Sequence, residues 1–154
     1  MIIREASGAS AHGLFPSGTG DTDDIGGLMI GWTLRVLVAG GLLGSAWVHW
    51  VVWQDWAADV GVVGPLFLVN VVAGVGLAVA VLAWRHPLAA AGAVAFGLVT
   101  LAAYVLSLTV GFFGVREQFA TQEELWGVVT EVVCVVFGAA LLSPRVRAAE
   151  RRRG

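Results

Sequence analysis

The sequence is poor in charged residues. Only 13% of its 154 residues are charged, whereas 58% are hydrophobic, and the mean hydropathy is +0.83. A soluble domain carries about 25% charged residues, because it must cover its surface for water. This chain therefore has too little polar surface to coat a soluble globule, and we expect much of its outside to face lipid.

Cysteine and lysine are scarce as well. The single cysteine, Cys134, excludes an internal disulfide and any metal site built from several cysteines, and its apolar neighbours favour a small buried hydrophobic role. All nine basic residues are arginines. The sequence shows no nucleophile with a paired base, no phosphate-binding loop and no Cys/His metal pattern. No catalytic or metal-binding residue is therefore predicted, and a non-enzymatic protein is favoured while enzyme activity is left open.

Long apolar segments fill the middle of the chain, over about 28–53, 62–84, 88–115 and 125–142. Each reaches or approaches the roughly 20 residues that span a hydrocarbon core of about 30 Å. Although valine is frequent, apolar runs of this length indicate helices, since every backbone group in lipid must be satisfied within its own segment. Short connectors make consecutive helices antiparallel neighbours. The sequence thus predicts an all-α membrane protein, an antiparallel bundle of four transmembrane helices.

The two ends of the chain are polar. Residues 1–26 are rich in Gly, Ser, Thr and Asp and predict a flexible tail, not a secretory signal, because no apolar run directly follows a basic region. Residues 27–143 form the predicted transmembrane domain. Residues 144–154 form a basic tail, which favours anionic lipid and is too short to indicate nucleic-acid binding.

The arginines indicate how the helices are oriented. Arg85 lies in the second connector and five more arginines follow the fourth segment, whereas the first connector holds Asp55 and Asp59 and no basic residue. Because basic loops stay on the cytoplasmic side, we expect both termini in the cytoplasm. The chain is predicted to be a multi-pass protein of the cell inner (plasma) membrane.

Polar residues inside the apolar segments indicate the interior of the bundle. Helices in lipid meet at small and polar side chains, and spacings of three and four residues place such side chains on one face of a helix. With about 1.5 Å of rise per residue, polar side chains of all four helices fall at similar depths in the outer half of the membrane. The predicted ligand- or proton-binding cluster is His49, Asn70, Tyr104, Ser107 and Glu131, with Arg116 and Glu117 as a lid from outside.

Glu131 and His49 each admit several interpretations. An ionisable side chain near the membrane centre is costly unless it is neutral or paired, so Glu131 either ties its helix to a neighbour by a hydrogen bond or binds a ligand, proton or ion. His49 is an interfacial histidine among tryptophans, a hydrogen-bond partner of Glu131 or Asn70, or a haem or metal ligand. One histidine with one glutamate offers too few ligands for a metal site.

The first apolar segment carries two further features. Arg35 is expected to extend its guanidinium to the cytoplasmic interface, and the alternative is an interior charge paired with a lipid headgroup or another subunit. Gly40 and Gly44 form a GxxxG motif, which indicates a second helix contact or a dimer seam.

Three stretches carry a family resemblance: residues 49–74, with H-x3-W followed by G-x2-GPLFLVNVVAG, residues 107–117, with SLTVGFFGVRE, and the position of Glu131. In these stretches the chain resembles a family of uncharacterised four-helix integral membrane proteins common in actinobacteria. The resemblance covers roughly residues 28–142, and it implies four helices and no assigned activity. In size and architecture alone, the chain is also similar to the DoxX-type, quinone-linked membrane proteins.

Three functions stay open at this level. The favoured one is a small membrane protein that binds a lipid or quinone-like ligand or acts as an accessory subunit of a larger membrane complex. The second is a redox or proton-handling component that uses Glu131, His49 and Tyr104, and the third is an oligomeric transporter or channel. No cofactor is evident, and haem and quinone are the two considered. Expected partners are membrane lipids, with a homo-oligomer or a larger membrane complex as further alternatives, and no nucleic acid.

Overall fold

A computed structural model describes residues 19–111, 113–114 and 121–151. This part of the chain is helical and contains no strand. The helices are α1 (Thr19–Asp55), α2 (Val63–Ala83), α3 (Pro87–Thr109), α4 (Gln122–Leu141) and α5 (Pro144–Arg151), and a short 3-10 turn (Ala57–Asp59) joins α1 to α2.

Four of these helices are long and apolar enough to cross a membrane. In α1, which has 37 residues and is about 55 Å long, the apolar part is Met29–Asp55. The whole of α2, α3 and α4 qualifies in the same way. The prediction of an all-α chain with four membrane-length helices is confirmed, and by length and composition the chain is a multi-pass membrane protein.

The helices extend into both polar ends of the chain. α1 begins at Thr19, within the segment 1–26 that was expected to be a flexible tail, and residues 1–18 lie outside the described part. α5 occupies most of the basic segment 144–154. The two extensions were not predicted, because neither contains the continuous apolar run from which the transmembrane segments were predicted.

The third helix ends earlier than the apolar run predicts. The run continues to Val115, but α3 ends at Thr109. Gly111 has a φ of 87°, and its N–H donates to Leu106 O at 2.9 Å. A glycine in the left-handed conformation is a common helix terminator, so Gly111 lies in the cap and not on the interior face of α3.

Capping side chains determine where α3 and α4 begin. Pro87 occupies the first turn of α3, where its missing N–H costs no hydrogen bond. At α4, Thr121 Oγ1 accepts from Glu124 N at 3.3 Å, and Glu124 Oε2 accepts from Thr121 N at 3.1 Å. This reciprocal capping box starts α4 at Gln122, three residues before the predicted apolar segment at 125.

The helices pack in a ring. α1 packs closely against α2 and α4, α3 packs against α4, and the contact between α2 and α3 is the loosest of the four. The centre of the ring is apolar. Its fully buried side chains include Val38, Leu42, Val81, Ala93 and Cys134.

Glycines allow close backbone approach at three of the four seams. A Cβ at Gly41 would lie 3.0 Å from Thr130 O, one at Gly74 would lie 3.0 Å from Leu42 O, and one at Gly97 would lie 2.7 Å from Glu131 O. At these points the backbones of two helices approach closely, as is typical of helix packing in lipid. α1–α4, α1–α2 and α3–α4 are therefore tight seams.

The GxxxG pair of α1 does not act as one contact surface within the chain. A Cβ at Gly44 would lie 2.7 Å from Thr130 Cγ2, whereas one at Gly40 would meet nothing within 4 Å. The glycines of α1 that contact α4 are Gly41 and Gly44, which are three positions apart. The second helix contact that the motif predicted therefore exists, with Gly41 in the place of Gly40.

Arg35 makes an ion pair within the chain, and whether its guanidinium also reaches the cytoplasmic interface stays a prediction. Its guanidinium, in a side chain only 7% exposed, lies 2.8 Å from Glu150 Oε1 of α5. The same group donates to Val81 O at 2.7 Å and to Trp84 O at 2.9 Å. These two carbonyls lie at the C-terminal end of α2, where the helix itself supplies no donor. Arg35 therefore joins α1, α2 and α5.

Gly97→Ala is expected to destabilise the bundle by about 1–3 kcal/mol. The added methyl would approach the Glu131 carbonyl oxygen, and backbone cannot turn aside as a flexible side chain can. Gly40→Ala is the matched control, since its methyl meets no atom within 4 Å. Titration with SDS, followed by circular dichroism, measures both variants. Equal stability of the two would contradict the tight α3–α4 seam.

Glu150→Ala is expected to lower the free energy of unfolding by about 3 kcal/mol or more, because it leaves the buried Arg35 charge without its counterion. The exposed Arg145 of the same helix supplies the control, and Arg145→Ala should change stability by about 0.5 kcal/mol or less. A double-mutant cycle with Arg35→Gln isolates the pair energy. Additive effects of Arg35→Gln and Glu150→Ala would show that the pair contributes nothing.

Candidate functional site

A cavity of about 770 Å³ extends into the bundle and is lined by α1, α2, α3 and α4. Its wall includes Val69 of α2 and Val99 of α3, which are 62% and 68% exposed on the outside of the bundle. The cavity is therefore continuous with the outer surface between α2 and α3, the face that a hydrocarbon core would cover.

The opening lies where helix packing is weakest. At the α2–α3 seam, a Cβ on Gly92 would meet the Cδ2 atom of Leu77 at 2.8 Å, so a leucine side chain separates the two backbones. Small residues of α2 and α3, Ala73, Ala95 and Ala103, line the space beside this leucine. Because the other three seams are closed by backbone contact, the cavity opens at the α2–α3 seam.

The cavity brings five of the predicted site residues together. Its lining includes His49 from α1, Asn70 from α2, Tyr104 and Ser107 from α3, and Glu131 from α4. Arg116 and Glu117, the two predicted lid residues, lie outside the described residues, and whether they close the cavity stays a prediction.

Glu131 is positioned by the tight α3–α4 seam. Its carbonyl oxygen packs against Gly97, the residue is only 4% exposed, and its side chain lines the cavity. The Thr100 hydroxyl is within hydrogen-bonding range of the carboxyl and also donates to Phe96 O at 2.8 Å. A hydroxyl has one proton, so Thr100 cannot fully supply both the Phe96 carbonyl and Glu131.

His49 is held by its own helix. Its Nδ1 lies 2.8 Å from Ser45 O, and a carbonyl oxygen only accepts, so Nδ1 carries a proton and donates it. In the neutral ring, Nε2 is then an acceptor that a ligand can use. The ring packs at 5.1 Å from Phe67, and Phe67 in turn lies 6.1 Å from Trp56. These three rings line one wall of the cavity.

The other polar lining residues come from α2, α3 and the start of α4. Asn70 is half-buried, and its amide can both donate and accept. Ser107 Oγ donates to Tyr104 O at 2.7 Å, so its proton is used within α3. Glu123 and Glu124, in the first turn of α4, complete the polar end of the lining.

Acidic residues outnumber basic ones in the cavity lining. The described lining includes the carboxyl groups of Glu123, Glu124 and Glu131 and includes no arginine. The one ion pair among the described residues is that of Arg35 with Glu150, and neither residue lines the cavity. Acidic and acceptor groups therefore predominate around the space that a ligand would occupy.

Three residues that shape the site were not among the sequence candidates. Ser45 fixes the ring of His49, Phe67 packs on that ring, and Thr100 contacts Glu131. Helical spacing places each of them on the same face as a predicted site residue. Ser45 lies four residues before His49, Phe67 three before Asn70, and Thr100 four before Tyr104. Within the described residues, no group of three or more His, Cys, Asp and Glu side chains is placed to hold a metal ion.

No protein-family model matches the chain, and no curated protein or solved structure matches it significantly. The resemblance to the four-helix family common in actinobacteria therefore stays a prediction.

Proposed function

We propose that this protein binds a lipid-like or quinone-like ligand that enters the cavity sideways from the membrane. The observation that carries the proposal is the position of the cavity. It opens between α2 and α3 on an apolar outer surface, and it leads to the buried carboxyl of Glu131. A ligand dissolved in the bilayer can follow this route without crossing water.

The shape and lining suit an amphiphile. Ligand pockets usually measure about 300–1,000 Å³ and combine apolar walls with a few polar groups, as this cavity of about 770 Å³ does. Leu77, Phe96 and Ala73 provide apolar wall for a chain or ring. Asn70 and Glu131 provide polar groups for a head. The apolar part of the ligand extends through the opening into lipid.

The proposal includes the arrangement of the helices in the membrane. We place the protein in the inner (plasma) membrane as an antiparallel bundle with both termini in the cytoplasm. Contacts of early α1 with late α2 support antiparallel neighbours, because Arg35 bonds to Val81 O and Gly74 approaches Leu42 O. The arginines of α5 and Arg85 support the cytoplasmic side. The polar lining of the cavity then lies in the outer half of the membrane.

A photoreactive ligand tests the proposal. The probe is dodecanol with a diazirine on its chain, added to the protein in nanodiscs of neutral lipid, illuminated and mapped by mass spectrometry. We expect saturable labelling of cavity residues such as Leu77 and Phe96. Ala103→Trp, which places a large side chain in the cavity, should abolish this labelling.

Ala102→Trp is the matched control. Ala102 is the neighbouring alanine of α3, is exposed, and does not line the cavity, so labelling of Leu77 and Phe96 should persist in this variant. Labelling that does not saturate, that spreads evenly over the outer faces of the helices, or that is the same in both variants would contradict lateral binding.

A further inference from the structure

We infer that the ligand of this cavity is a lipophilic cation, an amphiphile whose ammonium head pairs with the carboxylate of Glu131. The inference rests on the proposed function and adds the chemical class of the ligand. It is carried by the donors and acceptors of the lining, by its charge and by its aromatic wall.

Two side chains of the lining, ionised Glu131 and His49, offer acceptors to a ligand. Glu131 offers a carboxyl group that receives at most a shared proton from Thr100. His49 uses Nδ1 to donate to Ser45 O, so in the neutral ring Nε2 is an acceptor. An ammonium group has three donors and no acceptor, which complements both residues.

The charge of an ionised Glu131 selects a cation. No arginine or lysine is among the described residues that line the cavity. Arg35, the buried arginine, is already paired with Glu150 and bonded to the end of α2. A cationic head would supply the missing counter-charge for Glu131, and a charge-assisted hydrogen bond is about twice as strong as a neutral one.

The same lining disfavours the other common heads of membrane ligands. A phosphate head would place its negative charge beside that of Glu131 with no described arginine or lysine to bind it, and like charges in contact repel. A quinone presents carbonyl oxygens, which accept hydrogen bonds and therefore do not serve an ionised Glu131 or His49 Nε2. Donors of the described lining for such a ligand include the Asn70 amide and the Trp56 indole N–H, which lie on other segments than Glu131.

An aromatic wall adds to the preference for a cation. Phe67 lies between the rings of His49 and Trp56, at 5.1 and 6.1 Å, and all three line the cavity. A cation within about 6 Å of an aromatic face is attracted by the ring quadrupole, most strongly by tryptophan. An ammonium head that reaches this wall would therefore be stabilised by the rings.

Competition against the neutral photoprobe tests the inference. Dodecylammonium, dodecanol and dodecyl phosphate compete with diazirine-bearing dodecanol for labelling of Leu77 and Phe96, in nanodiscs of neutral lipid. Concentrations are corrected for the measured partitioning of each competitor into protein-free nanodiscs. We expect dodecylammonium to displace the probe at a concentration about tenfold lower than dodecanol does, as one charge-assisted hydrogen bond implies. Dodecyl phosphate should not displace it at the dodecanol concentration.

Glu131→Gln removes the negative charge of the side chain and keeps its size and shape. In this variant dodecylammonium should compete no better than dodecanol, while the neutral probe still labels the cavity. Glu123→Gln, at the exposed start of α4, should retain most of the preference.

The outcomes distinguish the two proposals. Equal competition by dodecylammonium and dodecanol, a preference that persists in Glu131→Gln, or stronger competition by dodecyl phosphate would overturn the assignment of a cation and leave lateral binding intact. Absence of cavity labelling by the neutral probe would overturn the proposed function, and this inference with it.

Discussion

Close backbone contact between α3 and α4 at Gly97 determines where the Glu131 side chain lies. Because Gly97 has no Cβ, the carbonyl oxygen of Glu131 can approach α3 closely, and this approach holds the residue inside the ring of helices. α1 approaches α2 at Gly74 and α4 at Gly41 in the same manner. Because three seams are closed by backbone contact, the cavity opens at the remaining seam, between α2 and α3. The position of the cavity and the position of its carboxyl therefore have one physical origin.

Arg35 and Glu131, two ionisable side chains inside the apolar helices, have opposite surroundings. Burial of a charge in a membrane requires compensation, and Arg35 has it, with Glu150 and two backbone carbonyls around the guanidinium. Glu131 has a shared contact with Thr100 and otherwise lines open space. Full compensation at Arg35 indicates a structural role in joining α1, α2 and α5. Incomplete compensation at Glu131 supports the proposal that this side chain contacts a ligand.

The four membrane-length helices, and five residues that line the cavity, could be predicted from the sequence. The contacts between distant segments could not. A long continuous apolar segment predicts a helix in lipid. Helical spacing then predicts which side chains, such as Glu131 and Tyr104, lie on the inward face. The ion pair between Arg35 and Glu150 could not be predicted, because the two residues lie 115 positions apart. Glu150 also stands among arginines, so its segment was interpreted as a basic tail. The early end of α3 depends on the φ of Gly111, which hydropathy does not report. The lateral opening depends on how Leu77 meets Gly92 across α2 and α3, a contact that no single segment encodes.

The central claim is that a membrane-soluble ligand places its head at Glu131 between the four helices. Solid-state NMR in lipid bilayers tests it directly, through dipolar coupling between a ¹⁵N-labelled dodecylammonium and the ¹³C-labelled side-chain carboxyl of Glu131. The account predicts coupling that corresponds to a separation of roughly 4 Å, the range of an ion pair, and loss of that coupling in Glu131→Gln. Coupling to the exposed Glu123 alone, or no coupling to any carboxyl at saturating ligand, would contradict it.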